Sequence, residues 1–310
     1  MPIVVVGNVF VDFKGFPEGT YIPAGRNAGR VEIVHGGVGR NVAEDIANVE
    51  LRPRFVSMVD NTAQGAEVLR KLRNHRVNTD YVVTTPDGMG MWLAVFDETG
   101  DVVGSISKRP KMDALVQLLD EKGDEIFSQA DSIVIEIDLD KEVVKRVLKY
   151  AKKYGKKVYA VVANMSIASQ RRDFLKDIDC FVCNVQEAGI LFVSDFSGYT
   201  PVQLCETLSQ NLANAEFPSM IVTMGSRGAV YADKHGERGV YPASTVTVRD
   251  TTGAGDAFCA GAAIGLTYGK TMPEAVAIGT KLAASVITVS ENVCPRFLPQ
   301  ELGLDIEVTD

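Results

Sequence analysis

This chain lacks any stretch approaching the ~18 apolar residues that a membrane span needs. Its start, MPIVVVGN, has no charged region ahead of an apolar one and reaches glycine after four apolar residues, so it reads as a buried first strand and not as a signal peptide. Long basic runs are missing as well. The balance is 32 Lys+Arg against 40 Asp+Glu, a net charge of −8, which argues against a nucleic-acid partner. The densest basic cluster, KKYGKK at 152–157, falls where a helix should end and reads as a solvated last turn. Cysteine is sparse: five residues, an odd number without framework spacing, point to a reducing cytoplasm. Cys180-x-x-Cys183 has no second Cys/His pair near it and lies in a strand-like run, so buried thiols are expected. The three histidines show no ligand spacing, and only His35, beside two glycines, is kept as a site candidate. A Gly-x-Gly-x-x-Gly after the first strand is absent, which excludes a dinucleotide-dependent oxidoreductase. GLTYGKT (265–271) is one residue too short for a phosphate loop and follows a helix, so Gly269 is expected to be a helix C-cap.

What is present is an ordinary globular composition, 46% hydrophobic and 23% charged over 310 residues, enough for one large domain. Apolar strand-like runs at 2–6, 54–60, 132–137, 156–163, 180–184 and 219–225 alternate with helical periodicity at 38–49, 62–75, 112–128, 140–154, 185–192, 200–214, 256–268 and 273–289. GAVYAD and GVYPAS should pair around HGER. The alternation is that of a doubly wound, Rossmann-like α/β core in three layers. Residues 13–34, 81–85, 91–97 and 102–107 are β-rich in shorter pieces. A small accessory sheet, a lid inserted into a single domain at about 13–34 and 87–110, accounts for them.

The chemistry centres on Asp250–Gly261, DTTGAGDAFCAG. Gly253 and Gly255 feed a helix start, where unpaired N–H groups and the helix dipole suit an anion. Asp256 beside that hole is odd for anion binding alone and sensible as a base acting on a nucleophile that attacks the anion. An acidic first-turn residue of a plain helix start has the same pattern. Thr223 to Gly228, TMGSRG, follows a strand and lies at a carboxyl end of the sheet, as a phosphate contact or a tight turn. Asn184 and Glu187, at i and i+3, can organise a hydrated Mg²⁺ or can form a capping box. Gly36 and Gly37 before a helix, with Asn41 one turn in, allow close approach of a ligand, or form a plain turn. Asp12 is a candidate for ligand hydroxyls or a loop acid, and Trp92 for lid core or a stacking face.

DTTGAGDAFCAGA closely resembles the C-terminal signature of the ribokinase, or PfkB, family of carbohydrate kinases, and GGVGRNVAEDIANV resembles the N-terminal one. NVQE and TMGSRG are similar to its internal motifs, in the same order. The resemblance implies a ribokinase-like core with a β-sheet lid and transfer of the γ-phosphate of ATP, with Mg²⁺, to a hydroxymethyl group of a sugar or nucleoside. It implies Asp256 as the base, the N–H groups of Gly253, Ala254 and Gly255 as the anion hole, and Asn184 and Glu187 around Mg²⁺, water and phosphate. Thr223, Gly225 and Gly228 would lie along the nucleotide. Asp12, Gly36, Gly37, Asn41 and Glu136 would hold substrate hydroxyls, and Asp250 and Thr252 a K⁺ ion. Phe10 departs from a frequent Asn of the family, and SENVCPRF (290–297) departs from the ribokinase pattern at the cation loop. GGVGRN followed by VAE looks most like pseudouridine kinases; ribokinase and fructokinase types are the alternatives. A non-catalytic sugar or nucleotide sensor on the same fold is the rival of another class. Exposed lid strands make a homodimer the expected assembly.

Overall fold

The computed structural model describes residues 2–306. In chain order the elements are β1 (Val4–Val6), β2 (Phe10–Pro17), β3 (Gly29–Gly36), α1 (Val38–Asn48), β4 (Arg54–Asp60), α2 (Ala63–Asn74), β5 (Asn78–Thr85), β6 (Gly90–Phe96), β7 (Val102–Lys108), α3 (Asp113–Ser128), β8 (Ser132–Glu136) and α4 (Lys141–Tyr154). They continue with β9 (Lys157–Val161), α5 (Met165–Ala168), β10 (Cys180–Asn184), α6 (Val185–Phe192), α7 (Pro201–Ala215), β11 (Ser219–Thr223), β12 (Ala229–Asp233), β13 (Arg238–Tyr241), α8 (Ala254–Thr267) and α9 (Met272–Val286).

Nine strands form the main sheet in the order β13-β12-β11-β10-β9-β8-β1-β4-β5. All pairings from β5 to β11 are parallel, and β12 and β13 close the far edge antiparallel. The strands are apolar on both faces because helices cover both. Val4, Val6, Ile133, Ile135 and Phe181 face one buried cluster, with α3, α4 and α7; Ile3, Val5, Val134 and Val182 face the other, with α1, α2, α8 and α9. Cys180 and Cys183 point to opposite faces of β10, both buried as free thiols. The order of strands reverses direction at β1, with β8 on one side and β4 on the other, and open α/β sheets bind ligands beside such a point.

The lid is a four-stranded sheet, β3-β2-β6-β7, entered from the end of β1 and left into α1, then entered again after β5. It begins at Phe10, earlier than expected, so Asp12 lies within a lid strand and not in a loop. β5, which includes 81–85, belongs instead to the edge of the main sheet, paired parallel to β4. The helix at 165–168 and the 3₁₀ turns at 169–177 were not legible as periodicity. Gly269 does turn the chain between α8 and α9, with φ 79°. Small residues let those two helices approach closely: a Cβ on Gly261 would sit 2.8 Å from the Gly279 Cα. No helix among the described residues is long and apolar enough to cross a membrane.

Candidate active site

The helix start after DTTG is built by one glycine. Gly253 takes φ 82°, a left-handed conformation, and precedes the first turn of α8. The Ala254 N–H leans on the Thr251 carbonyl at 3.3 Å, whereas those of Gly253 and Gly255 have no acceptor among the described residues. Ala254 is thus the weakest donor of the expected three. Asp256 stands in the same first turn, partly exposed at the mouth of the site but crowded by protein. Asn41 of α1 donates its side-chain N–H to the Asp256 carboxylate at 2.6 Å. That contact joins residues 215 positions apart, and it brings the two glycine motifs together. Burial pushes the Asp256 carboxyl up to about 6, with the Glu187 carboxylate adding to the rise; Asn41 and the Arg40 guanidinium oppose it. A carboxylate in that range is ionised at neutral pH and still basic enough to take a proton. The Asn41 side-chain oxygen is buried and unpartnered, an acceptor left free beside Asp256.

The glycine pair opposite is required by close approach. Gly37 has φ 99°, and a Cβ there would lie 2.5 Å from the Asn8 carbonyl. A Cβ on Gly36 would lie 2.8 Å from the Asp12 carboxylate. Asp12 therefore faces the Gly36 backbone, and burial raises its pKa while Lys14 and Arg40 lower it. Trp92 is its register neighbour across the lid and packs edge-on against Phe96, so it is both lid core and a flank of Asp12. Phe10 lies in the next row, its ring over Gly90.

Glu136 sits differently from the expected hydroxyl contact. It is 2% exposed, and it accepts the Asn8 backbone N–H at 2.9 Å, the Asn8 amide at 3.1 Å and the Gly39 N–H at 3.3 Å. It clamps the turn after β1 to the start of α1 beneath the substrate motif. Burial and the neighbouring Asp138 push it up to about 7. His35 also serves through its backbone: its carbonyl accepts from Arg40 and from Asn292, while its ring points toward Glu67.

Arg40 and Asn292 were missed. Arg40 is 1% exposed, paired with Glu44 at 2.6 Å, and bonded to the Asn292 side chain at 3.3 Å. The Asn292 amide donates to the His35 carbonyl at 2.9 Å, and its own carbonyl packs on Gly253. The tail thus struts the 253–255 turn against the segment from His35 to Arg40. The i, i+4 Arg40/Glu44 spacing on a helix meant for the core was the available signal; nothing local pointed to Asn292.

A groove of about 570 Å³ is lined by Thr223, Gly225, Gly228, Ala254 and Gly255, with Val246, Phe258 and Ile287 among its apolar residues. The expected nucleotide strip and anion loop share one cavity. Asn184 and Glu187 form a capping box, with N–H contacts of 2.7 and 2.9 Å. Burial raises the Glu187 carboxyl, and Asp138 adds to this. Asp250 accepts the Thr252 N–H at 2.8 Å, which lowers its pKa.

Residues 2–294 match the model of the pfkB family carbohydrate kinase. The chain belongs to that family. A guanosine-inosine kinase from Exiguobacterium acetylicum is 36% identical over 96% of this chain and 98% of its own. A pseudouridine kinase from Escherichia coli is 26% identical over 84% and 82%. The structure of Arabidopsis thaliana ribokinase complexed with ribose and ATP superposes with a TM-score of 0.81 at 20% identity, over 99% of both chains, and has the same fold. This pfkB kinase is an ATP-dependent phosphotransferase, and the sensor alternative falls away.

Proposed function

We propose that this kinase phosphorylates the hydroxymethyl group of a nucleoside, with Asp256 as the base. The observation that carries the reading is the 2.6 Å contact between Asn41 and Asp256 at the junction of the substrate motif and the anion hole. Asp256 takes the proton from the hydroxyl as its oxygen attacks the γ-phosphorus of ATP. The bond from that phosphorus to the bridging oxygen breaks, and ADP leaves along the groove of Thr223 and Gly228. The N–H groups of Gly253 and Gly255 receive the charge that builds on the transferring oxygens. Asp12 and the free oxygen of Asn41 bind sugar hydroxyls. The similarity to a guanosine-inosine kinase, higher than to the pseudouridine kinase, supports a nucleoside over a bare sugar.

Glu187 suits Mg²⁺ because such an ion keeps several waters and needs only one or two carboxylates beside the phosphates; one Glu187 oxygen is held by the capping box and the other is available. When bound, Mg²⁺ neutralises the phosphate oxygens. Among the described residues no group of three or more His, Cys, Asp or Glu forms an all-protein metal site. For K⁺ the support is proximity: Arg249 and Asp250 bond the Ile287 carbonyl, which brings loop 250–253 against the tail.

The test is a coupled ATPase assay over inosine, guanosine, adenosine, pseudouridine, ribose and fructose, with and without K⁺. Turnover confined to ribose or fructose would overturn the nucleoside reading.

A homodimer through the lid is supported by its face opposite Asp12. Ile33, Phe13, Leu93 and Ile106 run in register across all four strands, with Ile33 53% and Ile106 70% exposed. A second copy of the same stripe would cover it symmetrically. Ile106→Glu should shift the mass in light scattering from dimer to monomer; an unchanged mass removes the lid as the interface.

A further inference from the structure

The chain passes between the main sheet and the lid at four crossings: β1 to β2, β3 to α1, β5 to β6 and β7 to α3. Backbone bonds knot the first three together. The Asn8 carbonyl of the first accepts the Arg40 N–H at the head of α1 at 3.2 Å, and the Val9 carbonyl accepts the Gly90 N–H at the start of β6 at 2.9 Å. Two buried carboxylates that end main-sheet strands fasten this knot. Glu136, ending β8, holds Asn8 and the Gly39 N–H, and Asp60, ending β4, accepts the Met89 N–H at 2.8 Å. The fourth crossing is held differently. Among the described residues, positions 109–112 make no backbone hydrogen bond to a main-sheet strand. A side chain does the fastening: Arg109 donates to the Asp138 carboxylate at 2.9 Å and to the Asp138 carbonyl at 3.1 Å, just beyond β8. The other Asp138 oxygen accepts the Ala163 N–H at 2.8 Å, so this buried acid is itself fixed to the end of β9. Lys108 also pairs with Asp87 of the third crossing at 2.8 Å, but both are exposed, and such a pair contributes little.

We propose that Arg109 is a positioning residue for phosphoryl transfer: its fork on Asp138 latches the fourth crossing and so holds the lid where Asp12 faces the Gly36 backbone. The proposal rests on the reading above in which Asp12 binds the acceptor's hydroxyls. Strand register carries the effect. Ser107, two residues before Arg109, stands opposite Trp92, and Trp92 stands opposite Asp12. β7 is the outer strand of the lid, so fixing its end holds that row from one side while the knotted crossings hold it from the other. Two donors of one guanidinium set direction as well as distance, which a point charge does not. Without the latch the same lid position is only one of several. The apparent affinity for the acceptor then falls in proportion to the competent fraction. Water also reaches the transferring phosphoryl group more often, so ATP is hydrolysed without transfer.

Steady-state kinetics and hydrogen exchange on the full chain test this, with whichever nucleoside or sugar the wild type turns over as the acceptor. Arg109→Met should raise the acceptor's KM about tenfold, the scale of one charged hydrogen bond, and keep kcat within about threefold. The KM for ATP should not change, because Arg109 does not line the nucleotide groove. ATP hydrolysis without acceptor should rise as a share of turnover, which a merely structural loss would not cause. Arg109→Lys, which keeps the charge but not the fork, should recover part of the KM. Asp138→Asn should reproduce Arg109→Met, and the double variant should be no worse than either single one. Amides of β6 and β7 should exchange faster in Arg109→Met than in the wild type while those of β10 and β11 keep their rates, a readout that needs no substrate. Unchanged exchange in the lid, additive losses in the double variant, or a higher KM for ATP in place of the acceptor would overturn the latch. A wild type that turns over only free sugars would instead sink the nucleoside reading, and the latch would be judged on that sugar.

Discussion

Asp256→Asn should lose turnover by at least about 10³-fold, at the upper range of what a positioned base supplies, while nucleoside and ATP still bind. The amide is isosteric and keeps an oxygen for the Asn41 N–H, so the 2.6 Å contact survives. What disappears is the proton acceptor. The same change should stabilise the fold. With its pKa raised to about 6, the folded protein holds a proton between the ordinary carboxylate range and pH 6 that the unfolded chain has given up. This group's contribution to stability therefore falls as pH rises through that window, and above it the desolvation of the charged form costs on the order of 2–3 kcal/mol. Asn carries no charge to desolvate. At pH 8 the variant should melt a few degrees above the wild type while being almost inactive. For the wild type the acid limb of kcat/KM, which reports the free enzyme, should bend near pH 6. Near-wild-type turnover in Asp256→Asn, or a flat profile from pH 5 to 8, would remove Asp256 as the base.

The combination of gain and loss separates a reacting group from a scaffold group. Glu136 is also buried and raised, to about 7, but all three of its contacts are to Asn8 and Gly39, and its chemistry is to hold the turn. Residue type and a place at the end of an element could not alone distinguish the two acids. Both lie near the ends of elements that border the site; only their three-dimensional contacts separate them.

Much of the site was legible because glycine and its neighbours act locally. Gly253, Gly36 and Gly37 are needed by the backbone they stand in or by an atom that passes close, and such needs leave marks within a few residues. The core strands were legible because burial on both faces makes them uniformly apolar. The lid was less so. Its strands are half-exposed and mixed in composition, so the start at Phe10 was hidden behind the Gly7-Asn8 turn, and β5 read as lid although it pairs in the core. Arg40 to Asn292 spans 252 positions, and no local period records a partner so far away.

Gly253→Ala should do nearly as much damage as the loss of the base, by a different route. The added Cβ would lie 2.1 Å from the Asn292 carbonyl oxygen, a distance no relaxation of a side chain can relieve because both partners are backbone. The left-handed φ of 82° adds about 1–2 kcal/mol of strain for a non-glycine residue. Either the 253–255 turn or the tail must move. Displacing the turn takes the N–H donors away from the transferring oxygens, and losing one such donor costs about 10²- to 10³-fold in kcat. Displacing the tail pulls Asn292 from the His35 carbonyl and from Arg40, and so loosens the substrate motif as well. Gly255→Ala is the control. A Cβ there meets nothing within 4 Å, so that variant should keep its melting temperature and most of its kcat, with any penalty confined to the KM for ATP, because Gly255 lines the nucleotide groove. If Gly253→Ala and Gly255→Ala lose the same small factor in kcat, the turn is not the anion hole. If Gly253→Ala alone loses about a hundredfold, at substrate concentrations that saturate both sites, the strut from tail to turn is what holds the donors in place.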